Sequence, residues 1–121
     1  MSESIIKDKS YQFAKRIVGV YKYLIEKKKE YVLSKQVLRS GTAIGALVRE
    51  AQNAESIPDF IHKLGIAQKE CDETLYWLEL LHDSEYLKQK EFTSLHNDAS
   101  SLLKMLRSAI ITSKNKKLKN P

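Results

Sequence analysis

One cysteine, two prolines and four glycines in 121 residues leave this chain few routes to anything but helix. With a single thiol, Cys71, no internal disulfide can form, so the fold must rest on its core. A lone thiol also fits a reducing compartment, and a bacterial-type cytoplasm is the expectation. Scarce glycine and proline exclude the turn-rich patterns of sandwiches and barrels. No apolar run approaches the roughly 18 residues of a membrane span, and the start, Met1 to Lys7, lacks the apolar centre of a signal peptide.

What is present is charge and periodicity. The net charge is +6, but it is unevenly placed. Residues 1–49 carry 11 Lys/Arg against 4 Asp/Glu, residues 50–103 carry 4 against 11, and residues 104–121 carry 6 against none. An ordinary solvated surface accounts for this split. So does a chain whose basic first half meets the acidic part of a neighbour.

Four helical segments emerge. In the first, about Ser10 to Lys29, with Asp8 or Ser10 as cap, Phe13, Ile17, Val20, Tyr21 and Leu24 share one face. The second runs from a cap at Ser34 to about Ala54, with the stripe Val37, Gly41, Ile44, Val48 and Ala51. A turn at Glu55–Asp59 follows, with Pro58 suited to the first helical position. The third helix repeats Phe60, Leu64, Ala67, Cys71, Thr74, Leu78 and Leu81 at spacings of 4 and 3, the seam of a bundle. The fourth, about Lys88 to Ser113, answers with Phe92, Leu95, Ala99, Leu102, Leu106 and Ala109. The reading is all-α: an up-down-up-down antiparallel four-helix bundle over residues 1–113, with residues 114–121 a basic, disordered tail.

Short connections make sequential helices antiparallel neighbours. Reflection about the turn near Ile57 sets Gly41 level with Glu73 and Arg39 within a turn of Asp72, Glu73 and Glu79. Reflection about the first turn sets Gly45 level with Val18 and Gly19.

Gly41 and Gly45 form a small-xxx-small pair, each costing about 1 kcal/mol in a helix interior. Close backbone approach, within the bundle or to a second subunit, explains the expense. A phosphate-cradling loop is the competing idea, but it lacks the P-loop lysine and a preceding strand. Glu79 and His82 match the Glu-x-x-His of carboxylate-bridged metal sites, yet no second copy exists, so no metal and no cofactor is expected. Cys71 sits on the seam as a structural thiol, and Ser40, Thr42 and Thr74 have no histidine partner for nucleophilic work. Glu50, Glu70, Glu73 and Glu79 read as interhelical salt-bridge partners of Arg39, Arg49, Lys63 and Lys69 rather than as acid–base pairs. Tyr76 and Trp77 point about 100° apart, and both interface anchoring and core packing suit them.

The block Gln36 to Ala46, with Glu50-Ala51, Asp59-Phe60-Ile61, Lys63-Leu64, Ile66-Ala67, Lys69-Glu70, Glu73-Thr74 and Tyr76-Trp77-Leu78, resembles the four-helix bundle proteins first noticed in intervening sequences of bacterial 23S rRNA genes. The likeness covers roughly residues 9–113, and Leu47-Val48 departs from it where the family more often has asparagine. It implies ring-shaped homopentamers. A related group, the accessory variability proteins of diversity-generating retroelements, forms basic barrels that bind nucleic acid and a reverse transcriptase. No enzymatic activity attaches to the family.

The leading expectation is therefore a non-enzymatic, self-assembling bundle that binds RNA, DNA or an RNA–protein complex through Lys104, Arg107, Lys114, Lys116, Lys117 and Lys119. Arg39, Gly41, Gly45, Glu50, Glu73, Tyr76 and Trp77 are the expected packing and assembly residues. The alternative is a scaffold that binds another protein through the third helix.

Overall fold

The protein, as a computed structural model, is described over residues 3–119, with side chains from 5 to 118. Met1, Ser2, Asn120 and Pro121, which belong to the termini read above, lie outside the described residues. Four helices follow in order: α1 (Glu3–Glu26), α2 (Leu33–Gln52), α3 (Ile57–Asp83) and α4 (Gln89–Lys119). They pack in sequence as an antiparallel bundle; α1 and α4, which close it, meet more sparsely than the other neighbours. Among the described residues no helix is long and apolar enough to cross a membrane.

The buried set follows the periodic stripes. Phe13, Ile17, Val20 and Leu24 of α1, all five stripe residues of α2, Leu64 to Leu81 of α3, and Leu95, Ala99, Leu102 and Leu106 of α4 are buried. Tyr21, Phe60, Phe92 and Ala109 are only partly buried, at the edges and ends of the bundle.

Helix α1 starts well before Ser10. Ile6 continues the seam one turn further and is buried. Ser10 is also buried and gives its hydroxyl to the Lys7 carbonyl at 3.1 Å, so neither it nor Asp8 caps the helix. The helix closes at Glu26 through Lys29, which takes a left-handed φ of 55° and lets the Glu30 N–H reach the Leu24 carbonyl at 3.0 Å.

Helix α2 is capped by Glu30, not by Ser34. The Glu30 carboxylate accepts the N–H groups of Val32, Leu33 and Ser34 at 3.2, 3.0 and 2.7 Å. Burial by itself would raise the Glu30 carboxyl, but those backbone N–H donors outweigh it and hold the group below the usual carboxylate range.

In α3 the cap is Ser56, whose Oγ accepts the Asp59 N–H at 3.1 Å, while Asp59 reaches back to the Glu55 N–H at 3.2 Å. Pro58 falls one place inside the first helical residue, Ile57. Helix α4 continues past Ser113 to Lys119, so six residues read as disordered tail are helical. No glycine or proline intervenes there, and lysines near a helix C-terminus complement its dipole.

The α2–α3 register matches the reflection about Ile57: the Ser40 and Thr74 hydroxyls hydrogen bond at 2.9 Å and Lys63 Nζ meets Glu50 at 3.2 Å. The α1–α2 register does not match. Gly45 lies against Ser10 rather than Val18 and Gly19, and Gly41 lies against Ile17. Glu30 folds back onto the α2 N-terminus, placing the turn nearer the N-terminus than expected, and reflection doubles the shift.

Candidate functional site

Three sets of polar side chains stand out on the bundle. The first joins α2 to α3. The Arg39 guanidinium donates to both Glu70 oxygens at 3.1 Å and to Glu73, and the Trp77 indole N–H donates to the same Glu73 oxygen at 3.1 Å. Hydrogen bonding to Glu70, reinforced by the charges of Glu70 and Glu73, raises the Arg39 pKa further. Tyr76 meets the Trp77 ring edge-on at 4.9 Å and remains 57% exposed. The pairing of Arg39 with helix α3 thus includes Glu73 and extends to Glu70. Because Arg39 is half exposed, the pair stabilises modestly. A double-mutant cycle between Arg39→Ala and Glu73→Ala is expected to show coupling of about 0.5–1 kcal/mol in urea melts. Zero coupling would mean that the bridge contributes nothing to stability.

The glycines face inward, toward α1. A Cβ on Gly41 would stand 2.8 Å from both Cγ atoms of Ile17, and one on Gly45 would stand 3.2 Å from the Ser10 carbonyl oxygen. Their close approach is to a helix of the same chain. Glu50 lies one turn beyond, paired with Lys63.

The second set runs along α4. Lys104, Arg107, Lys114, Lys116 and Lys117 are exposed, and Lys119 ends the helix with its side chain outside the described residues. Ile111 and Leu118, 60% and 80% exposed, punctuate the row. These cations do not join the Arg39 cluster on α2 and α3. Near the α3 N-terminus, Lys114, Lys117 and Leu118 share an open groove with Pro58 and Ile61.

The third set escaped the sequence reading. Tyr11, 51% exposed, has Lys15 Nζ and Arg49 Cζ at 5.8 and 5.7 Å from its ring centroid, beside an open groove of about 760 Å³ lined by α1, α2 and the start of α3. Arg16 bridges the sparse α1–α4 seam to Asp98 at 2.7 Å and Glu91 at 3.6 Å. Tyr11 and Lys15 are an i, i+4 pair on α1, but Arg49 joins them from α2, and only the α1–α2 register reveals that meeting.

The chemistry of the remaining candidates is structural. Cys71 Sγ donates to the Ala99 carbonyl at 3.2 Å, and burial, then repulsion from Asp72, pushes the thiol up to about 12. A thiol so held is a poor nucleophile near neutral pH. Glu79 meets His96 at 3.0 Å, whereas His82 stacks on Phe92 at 4.2 Å, so the two members of the Glu-x-x-His spacing have different partners. Among the described residues no three His, Cys, Asp or Glu side chains gather as a metal site.

Fold and surface together define a charged all-α bundle with ion-paired helices and a basic fourth helix. The chain belongs to the 23S rRNA-intervening sequence protein family, whose sequence model matches residues 2–108. It is similar to a solved structure, a protein of unknown function from the S23 ribosomal protein family of Bacteroides thetaiotaomicron VPI-5482. The two are 53% identical, with a TM-score of 0.89 over 91% of this chain and 98% of that one. No curated protein matches the chain. Neither the family's description nor the neighbour's names an enzymatic activity.

Proposed function

We propose that this protein is a non-enzymatic, self-assembling bundle that binds nucleic acid, RNA in preference, through the C-terminal half of α4. The observation that carries the reading is the run from residue 104 onward: six Lys/Arg and no acid, on a helix whose cations are exposed where side chains are described. Exposed cations that meet phosphates release condensed counterions, which is the source of affinity. Assembly repeats the row in each copy and multiplies its local field. The family's description, an intervening sequence of 23S rRNA, favours RNA as the ligand.

Fluorescence anisotropy with labelled single-stranded and duplex RNA across a salt series tests this. Log affinity falls linearly with log salt if phosphates are the target. Deleting residues 114–121 removes Lys114, Lys116, Lys117 and Lys119. The deletion is expected to lower the salt slope by at most about 3.6 per chain on duplex, at roughly 0.9 per phosphate, and less on single strands. It leaves the melting temperature nearly unchanged, because Lys114 to Leu118 are exposed. Unchanged affinity and slope in the truncated protein would remove the tail from the interface.

A second reading, a scaffold that binds another protein through α3, rests on Tyr76, a large aromatic left exposed beside the Trp77–Glu73 hydrogen bond. It takes first place if binding to RNA is absent.

A further inference from the structure

Glycine on the outer side of a helix needs a reason, and no packing contact within the chain supplies one for Gly19, which borders an open groove of about 410 Å³ with Leu87, Lys88 and Glu91. Gly19 costs about 1 kcal/mol relative to alanine, it is exposed, and a Cβ built on it would meet nothing within 4 Å. Gly41 and Gly45 are explained by the contact of α2 with α1; Gly19 faces away from that contact.

Its neighbours on the outer face of α1 are Lys15 and Lys22, one turn before and one turn after, both exposed. The outer face of α3 presents Asp72, Tyr76 and Glu79, all exposed, at the same spacing. Tyr76 is the most exposed aromatic of that helix, and Glu79 gives only one oxygen to His96.

The register within the bundle relates the two faces. Gly41 lies against Ile17 and Ser40 against Thr74, so Ile17 stands level with Glu73; Gly45 lies against Ser10, which sets Ser10 level with Lys69. The two pairs set α3 ahead of α1 by 56 and 59 residues; at an intermediate offset of 57, Lys15 is level with Asp72, Gly19 with Tyr76 and Lys22 with Glu79. Helices α1 and α3 run in the same direction in an antiparallel bundle. Copies related by rotation about an axis along the bundle keep these levels, and such a head-to-tail contact repeats from copy to copy.

We propose that Lys15, Gly19 and Lys22 on α1 form the docking face for Asp72, Tyr76 and Glu79 on α3 of a second copy of this chain. Each lysine meets a carboxylate, and the Tyr76 ring lies over the gap that Gly19 leaves. The like-charge match on this register, Glu26 with Asp83, falls at the end of the bundle beside Lys27 and Lys28, where solvent screens it. The inference rests on the assembly part of the proposed function and names its surface.

Light scattering on the full-length protein at tens of micromolar, with circular dichroism as the folding control, tests it. K15E/K22E and D72K/E79K are each expected to fall to the 13.9 kDa monomer with helicity unchanged. The combined variant K15E/K22E/D72K/E79K, which exchanges the signs across the contact, is expected to regain the wild-type mass. Gly19→Leu is expected to keep the fold and lose assembly. A double reversal that retains the wild-type mass, or a combined variant that stays monomeric, overturns this pairing of faces while the assembly reading stands. A wild-type protein that is itself monomeric overturns both.

Discussion

Gly45→Leu is expected to lower stability by about 3 kcal/mol, the upper end of what overpacking usually costs, whereas Ala46→Leu changes it by less than about 0.5 kcal/mol. The two substitutions add a leucine one position apart on the same helix. Ala46 is exposed. At Gly45 the first added carbon already stands 3.2 Å from the Ser10 carbonyl oxygen and 3.4 Å from its carbonyl carbon. Those atoms are backbone of α1 and cannot rotate aside, so a longer side chain must push the helices apart. Gly41→Ala meets the Ile17 Cγ atoms instead. Ile17 is fully buried and branched at Cβ, which leaves it few rotamers, and a loss of about 1–2 kcal/mol is expected there. Urea melts with unchanged m-values read all three. Equal midpoints for the two leucine variants would show that α1 and α2 do not depend on the close approach.

Glu30→Ala is expected to cost about 2 kcal/mol, the upper end of the range for a lost helix cap, because the carboxylate serves the N–H groups of Val32, Leu33 and Ser34 together. Ser34 is fully buried, so water cannot readily replace the carboxylate at its N–H. The effect carries a pH signature. The folded Glu30 carboxyl titrates below its ordinary value, since the backbone donors outweigh the burial that would raise it. A group with a depressed folded pKa contributes fully above the unfolded value, about 4.3 for glutamate, and its contribution fades as pH falls through the folded value. The stability gap between wild type and Glu30→Gln should therefore be widest near pH 7 and narrow below about pH 4. A gap constant from pH 7 to pH 3 would show that the charge on Glu30 plays no part in capping.

How far such features can be read in advance differs by kind. The Arg39 bridge was legible because helix periodicity and a short turn place Arg39 near Glu73. Glu70, one turn away from Glu73, is the partner that the level alone did not single out. The basic residues of α4 were legible as a run, but their helical continuation to Lys119 was not, because polar composition alone does not separate a solvated helix from a tail. Nothing in the local sequence marks Glu30 as the cap, since a serine four residues later offers the more familiar cap residue.

Four helices, their buried seams and the segregation of charge were determined by the sequence itself. The 3.6-residue period declares which side chains must leave water, and Phe13, Leu64, Leu78 and Leu106 have no alternative place in a helical chain. The tertiary structure alone decided where α1 begins, how α1 registers on α2, and that Gly45 meets Ser10. It also decided that Tyr11 lies beside Arg49 and that Gly19 faces open space. Those outcomes depend on where the first turn falls. A turn is set by a few hydrogen bonds between groups such as Glu30, Lys29 and Leu24, whose geometry exists only once the helices have packed.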